Sequence, residues 1–376
     1  MADMKTDIKL QHAVIAVNRF GLGAKPGELQ AASADPKAWL KKGLMPITFK
    51  DNLPSSEAVM KAGVAYREMR KSEKNQKNKN KQNTMQAEDN TMMESMSALK
   101  KFPRESLRAF SISYVKHAVQ SNNSISWRLL DFFSNHFSVS ASGAAMAGLS
   151  ATLEREAIAP NLLGNFEDML LAVAQHPAMI IYLNNEQSAG ANSRIGKKRG
   201  KDINENLARE ILELHTLGVN GGYSQADVIE LAKGITGWSL QNPKKDKKVG
   251  FKYANFMHEP GTRTLLGKTY SQQGMKQGES MLRDLANHPS TAQYLCYKLA
   301  RHFIHDEPPK SLVDKLVTSW KKSSGNIKTV MNTLIDAEES WSIEKENTID
   351  AKLKTIIFSA PAWWNFFNAV LILGWP

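Results

Sequence analysis

Asn204-Glu205-Asn206-Leu207-Ala208-Arg209-Glu210-Ile211-Leu212-Glu213-Leu214-His215-Thr216-Leu217-Gly218 is the stretch on which the reading of the fold turns. Its apolar residues recur at intervals of three and four, Asp202 with Glu205 makes a capping-box-like start, and Gly218 supplies a stop. The stretch is predicted to be a helix. Steps of 100° per residue put Asn206, Arg209, Glu210 and Glu213 on one arc, and Leu207, Ile211, Leu212, Leu214 and His215 on the opposite one.

The same grammar extends in both directions. Glycines and prolines separate long runs with three-and-four apolar spacing, and strand-like alternation is almost absent, so the fold class is all-α: a single large multi-helix domain built from packed helix hairpins. After the turn at 218–223, Ser224 and Asp227 form a second capping-box pattern. Met169-Leu170, Ala174, His176-Pro177 and Tyr182-Leu183 recur at the same offsets as Met281-Leu282, Ala286, His288-Pro289 and Tyr294-Leu295. Two helix hairpins of one design are expected, each with a His before a first-turn Pro, which suits capping better than catalysis. Residues 1–70 read as an N-terminal helical segment and 97–340 as the main body. Residues 71–96, rich in Lys, Asn, Gln, Glu and Met, read as a flexible insertion or an extended exposed helix.

The net charge of +12 over 376 residues invites a nucleic-acid reading, but eleven of those charges sit in three short windows. Lys71 to Gln82 holds a net four, Arg194 to Asp202 four, and Lys244 to Lys248 three. Such runs without interleaved aromatics are solvated loops more often than a nucleic-acid surface. The single Cys296 lies among apolar neighbours and excludes an intramolecular disulfide. The longest apolar run, Phe366 to Trp375, falls short of the roughly 20 residues of a membrane helix, so no span is expected. The N-terminus lacks a basic region leading into an apolar one, which points to the cytoplasm.

Candidate chemistry gathers at four places. Arg209, Glu210, Glu213 and Asn206 share one face of the quoted helix, where Arg209 either pairs with Glu205 on an ordinary amphipathic surface or faces a cleft and orients an acidic substrate. His136, beside Asn135, lies within a turn of Phe132 and Phe133, a setting that favours a partly buried, hydrogen-bonded ring. His258, in a loop beside Glu259, is the more plausible acid/base or metal group. The run 197–201 precedes a helix start where an anion would be welcome, although its glycine spacing fits no phosphate-binding loop. No serine-nucleophile elbow, zinc-protease helix, Walker loop or dinucleotide fingerprint occurs.

Arg19-Phe-Gly-Leu-Gly, Phe133-Ser-Asn-His-Phe-Ser-Val-Ser, the 204–219 stretch, Gly222-Tyr-Ser-Gln-Ala-Asp-Val, Thr236-Gly-Trp, Leu265-Leu-Gly-Lys, His288-Pro-Ser-Thr-Ala and Lys298-Leu-Ala-Arg-His-Phe together resemble the bacterial family known as domain of unknown function 1800. The resemblance implies a helical protein with no assigned substrate, often encoded beside a sulfatase-like protein, a candidate partner, and frequently exported. Its motif positions fall on Asn135, His136, Asn206, Arg209, Glu210, Glu213, His215, Gly222, Tyr223, Asp227, Trp238 and His258. His258-Glu259 stands where the family usually has His-Asp, and 341–376 matches the family poorly, as a shortened tail would.

Two functional readings follow. One is a hydrolase or lyase acting on a polar or anionic substrate: Glu210, Glu213, His136 and His258 act as proton-transfer groups, Arg209, Asn206, Asn135 and Trp238 bind substrate, and a divalent metal is an open option. The other is a non-catalytic binding or maturation partner that uses the same polar helix as an interface. Both rest on where the charged arc of that helix points.

Overall fold

Prolines open helices where the sequence places them. Pro36, Pro177 and Pro289 each fill a first-turn position, where the missing N–H leaves no bond unmade. The residue before each one caps the helix: the Asp35 carboxylate accepts from the Ala38 amide at 2.9 Å, and Nδ1 of His176 and of His288 accepts from the amides of Ala178 and Ser290 at 3.1 and 3.2 Å. The structure, a computed structural model, describes residues 2–49, 51–79, 86–241 and 249–342. Among them are sixteen α-helices and two two-stranded sheets, a predominantly α-helical fold. No described helix is long and apolar enough to cross a membrane.

The two hairpins anticipated from the internal echo are Phe166–Gln175 with Pro177–Tyr182, and Met275–Ala286 with Pro289–Phe303. Their first helices pack on each other, and Arg283 and Asn287 of one reach the Glu167 carboxylate of the other at 2.5 and 2.9 Å. The Ser124–His136 helix is buried along most of its length and ties the halves of the chain together. Its Arg128 donates to the carbonyls of Asn18 and Gly21 near the N-terminus, and to that of His302 on the Pro289–Phe303 helix. Phe133, Phe137, Phe166 and Trp320 continue the core from there.

Residues 71–79 complete the Ser56–Lys79 helix and 86–96 open the Gln86–Gln120 helix, and the two helices pack together. The rest of the proposed insertion, the 244–248 lysine window and the tail from 343 lie outside the described residues.

The near absence of strands has two exceptions. Trp238–Leu240 pairs antiparallel with Phe251–Tyr253, and Arg263–Leu265 with Lys268–Tyr270. The second hairpin turns on Leu266 and Gly267, with φ of 49° and 76°, the two left-handed residues of a type I′ turn. Leucine is a poor residue for that conformation, and the Asp227 carboxylate holds it there by accepting from the Leu266 amide at 2.8 Å.

Candidate functional site

The motif helix starts later than its capping box suggests. Among the described residues the Asp202 carboxylate accepts only from the next amide, Ile203, while Asn204 Oδ1 accepts from the Asn206 amide at 2.9 Å, a local turn from which the helix begins at Asn206. Regular α-helix lasts to Glu210. From Ile211 to Thr216 the turn widens to a π-helix, with the Leu217 amide donating to the Leu212 carbonyl and Thr216 Oγ1 to the Ile211 carbonyl, each five residues back. Such widened turns are rare and recur at functional sites. The extra residue shifts the register: Leu207, Ile211, Leu212 and His215 are buried, but Leu214, expected on the same arc, is 42% exposed.

The polar arc faces outward. Arg209 donates to Glu205 at 2.9 Å and to Gln225 Oε1 at 2.8 Å, and Gln225 Nε2 closes the triangle on the same Glu205 oxygen. Its guanidinium is therefore held by Glu205 and by neither Glu210 nor Glu213. Glu210 has no hydrogen-bond partner among the described residues, and partial burial, followed by the neighbouring Glu213 charge, raises its carboxyl above the usual range. Glu213 accepts from the Tyr223 hydroxyl at 3.4 Å, and burial together with that carboxylate raises the phenol. Asn206 is exposed.

The two candidate histidines stand in different surroundings. His136 is buried among Phe132, Phe133, Phe137, Phe166, His215 and Tyr294. Its Nε2 lies 3.0 Å from the His215 carbonyl and its Nδ1 2.9 Å from Lys298 Nζ. Burial, then the Lys298 charge, holds its pKa well below the ordinary imidazole value, and the same causes hold His215 at about 3. Both rings are therefore neutral at physiological pH. His258 sits instead against Thr236, with Nδ1 3.0 Å from that residue's carbonyl, and its pKa is lowered chiefly by burial. Its neighbour Glu259 is occupied: the carboxylate takes the amide and the side-chain Nδ2 of Asn192 at 2.8 and 2.7 Å, fixing the 190–192 loop.

The structure thus brings His136 and His215 together, but no contact links either ring, or His258, to Glu210 or Glu213 among the described residues. Asn135 is half-buried beside His136. Trp238 is fully enclosed, with the edge of its ring over Gly278, so its place is in the core and it has no surface to offer a substrate. No group of three or more His, Cys, Asp or Glu among the described residues is arranged to hold a metal ion. The cationic run Arg194–Arg199 is a six-residue helix in which Ser193 Oγ caps the Gly196 amide.

The sequence reading did not single out Lys298 as a site residue. Its place in the Lys298-Leu-Ala-Arg-His-Phe segment was the available signal, but its approach to His136 joins residues 162 apart. Burial brings its ammonium down to about 8. A second polar cluster also lies under the Ser124–His136 helix. Glu154 is buried with its Oε1 unpartnered among the described residues, and burial raises it to about 8; Ser134 beside it lines the same cavity of about 40 Å3. Asp131, close to both Glu154 and Arg128, is raised by burial to about 6. The larger groove, about 630 Å3 between Lys310–Lys322 and Ile327–Asp336, is shallow and lined by none of these residues.

A family model described as a protein of unknown function (DUF1800) matches residues 15–356. Neither a curated protein nor a solved structure matches the chain.

Proposed function

The chain belongs to the DUF1800 family, and because that membership carries no reaction, we propose from the geometry that the polar arc of the motif helix is a recognition face for a partner protein bearing cationic or amide donors. One observation supports this above the others: Arg209 is engaged by Glu205 and Gln225, so Glu210 and Glu213 are left as adjacent carboxylates without a cation among the described residues. Two unneutralised carboxylates on a part-solvated face favour Lys or Arg from outside. The expectation that Arg209 anchors an acidic substrate is replaced by one of opposite sign.

The sulfatase-like neighbour implied by the family resemblance is the first partner to test. Titration calorimetry with that protein should give an association that weakens with salt and falls by about tenfold or more in the Glu210→Gln/Glu213→Gln double variant, while Arg209→Ala changes it by less than about threefold. No binding by the wild type, or equal binding by the double variant, overturns this assignment.

The raised Glu210 carboxyl favours a second reading, that of a hydrolase or lyase in which Glu210 is the base and Glu213 its partner. A substrate would have to bridge the distance to His136 or His258. Loss of a turnover signal in Glu210→Gln with unchanged partner binding would select it over the first reading.

A further inference from the structure

The inward side of the same region carries an arrangement that the recognition face does not use and does not depend on. Nε2 of His136 lies 3.0 Å from a backbone carbonyl, that of His215, and a carbonyl can only accept, so the ring proton is on Nε2. Nδ1 is therefore a lone pair, and the group 2.9 Å from it is Lys298 Nζ, which donates. The amine is also 5.0 Å from the centre of the Tyr294 ring, one helical turn back on the same face. Among the described residues no carboxylate lies within ion-pair distance of Lys298, whereas Lys25, Lys41, Lys61, Lys233 and Lys310 each have one. A half-buried lysine held by a neutral imidazole and lacking a counter-ion is not arranged as a structural salt bridge. It is arranged to spend part of its time as a free amine.

We propose that Lys298 is an amine nucleophile that captures a small polar aldehyde or ketone as an imine, with His136 as the positioning residue that holds the amine. The Nζ lone pair forms a bond to the carbonyl carbon as the C=O π pair moves to oxygen. Proton transfer from nitrogen to oxygen through solvent gives a neutral carbinolamine. Loss of that hydroxyl as water, with the second nitrogen proton, leaves the C=N bond, so amine and carbonyl become imine and water. No oxidant or reductant is needed. His136 accepts one N–H from the attacking amine and from the carbinolamine, up to the loss of that last proton with the hydroxyl, and keeps the attacking lone pair turned away from the ring. The depressed ammonium of Lys298 supports the assignment, since at pH 8 a lysine of pKa about 8 has on the order of a hundred times more free amine than one at the ordinary value of about 10.4.

The test is reductive trapping on the full chain. Glyceraldehyde and sodium cyanoborohydride at pH 8 convert an imine to a stable secondary amine, which peptide mass spectrometry locates. Lys310, with a side chain 88% exposed, is the internal reference. Lys298 should be labelled at least about tenfold faster than Lys310, and the label should vanish from that peptide in Lys298→Arg. The His136→Leu variant, which removes the acceptor, should slow labelling of Lys298 but not of Lys310, and His136→Gln, which restores an acceptor, should recover it. Labelling of Lys298 no faster than that of Lys310, or no labelling at all, overturns the nucleophile; unchanged labelling in His136→Leu overturns the positioning role.

Discussion

Gly218 lies directly over the Tyr294 ring: a Cβ built on the glycine would stand 2.9 Å from Cδ2 of that tyrosine, and the backbone there has φ of +84°. Two independent constraints thus require glycine at the end of the motif helix, the left-handed conformation that terminates it and the ring on which it rests. The same contact joins the motif helix to the helix that carries Lys298. Gly218→Ala is expected to destabilise the chain by about 1–3 kcal/mol from strain at positive φ together with displacement of Tyr294. Denaturant midpoints of the two proteins measure this, and equal midpoints would mean that the turn relaxes freely.

Glu154 supplies a pH dependence of known sign. Its carboxyl titrates at about 8 in the folded protein, against 4.5 ordinarily, because burial disfavours the charge. The folded state therefore holds its proton more tightly than the unfolded one. The associated stability is complete below pH 4.5, is lost as pH rises through 8, and falls by up to about 1.4 kcal/mol per pH unit between. His136 and His215 act in the opposite sense: their pKa values are depressed, so their contribution is present above 6.5 and lost as pH falls below it. Comparing wild type with Glu154→Gln isolates the carboxyl. The stability difference should move in favour of the variant as pH rises from 5 to 8, and parallel stability curves would contradict the buried-acid assignment.

Much of the fold was legible because its signals are local. The Pro177 and Pro289 helix starts with their histidine caps, the Ser224–Asp227 capping box and the stop at Gly218 all depend on residues a few positions apart. The second hairpin was hidden because the conformation of Leu266 is held by Asp227, 39 positions away. The site was less legible for the same reason. A 100° wheel assumes an unbroken α-helix, and the π turn at 211–216 moves Leu214 to the surface. The wheel separated His215 from the carboxylates, as the structure has it, but did not say which arc faces inward. That depends on His136 and Lys298, which come from other helices.

Arg128 makes an interior joint whose loss is expected to exceed that of any surface pair. It donates to the carbonyls of Asn18, Gly21 and His302, and burial lowers its guanidinium to about 10 against the opposing charge of Asp131. Arg128→Met removes every one of those donors and leaves Asp131 without its nearest cation, which should destabilise the protein by about 3–5 kcal/mol. Arg128→Lys should not restore this, because a single ammonium lacks the fork that reaches carbonyls on two sides. Chemical denaturation of both variants decides the point, and a lysine variant as stable as the wild type would show that charge alone suffices.

Glu259 tests whether the His258 loop is rigid by construction. Its carboxylate binds Asn192 through both the backbone amide and the side chain, its own amide donates to Thr236 Oγ1 at 2.8 Å, and Gly190 packs so closely on it that a Cβ there would fall 2.6 Å from the Glu259 Cα. Thr236 in turn carries the carbonyl to which His258 Nδ1 is bonded. Glu259→Gln keeps the shape and one acceptor; Glu259→Ala removes both acceptors at once. Hydrogen exchange of the Asn192 amide should accelerate by about tenfold or more in the alanine variant, as expected for loss of a charge-assisted bond of about 1.5–3 kcal/mol, and by less in the glutamine variant. The His258 ring should titrate further below its ordinary value in the alanine variant, since the Glu259 charge now partly offsets the depression by burial. Exchange at Asn192 that is indifferent to the carboxylate would place the rigidity of this loop elsewhere, in the packing of Ala189, Ala254 and Met257.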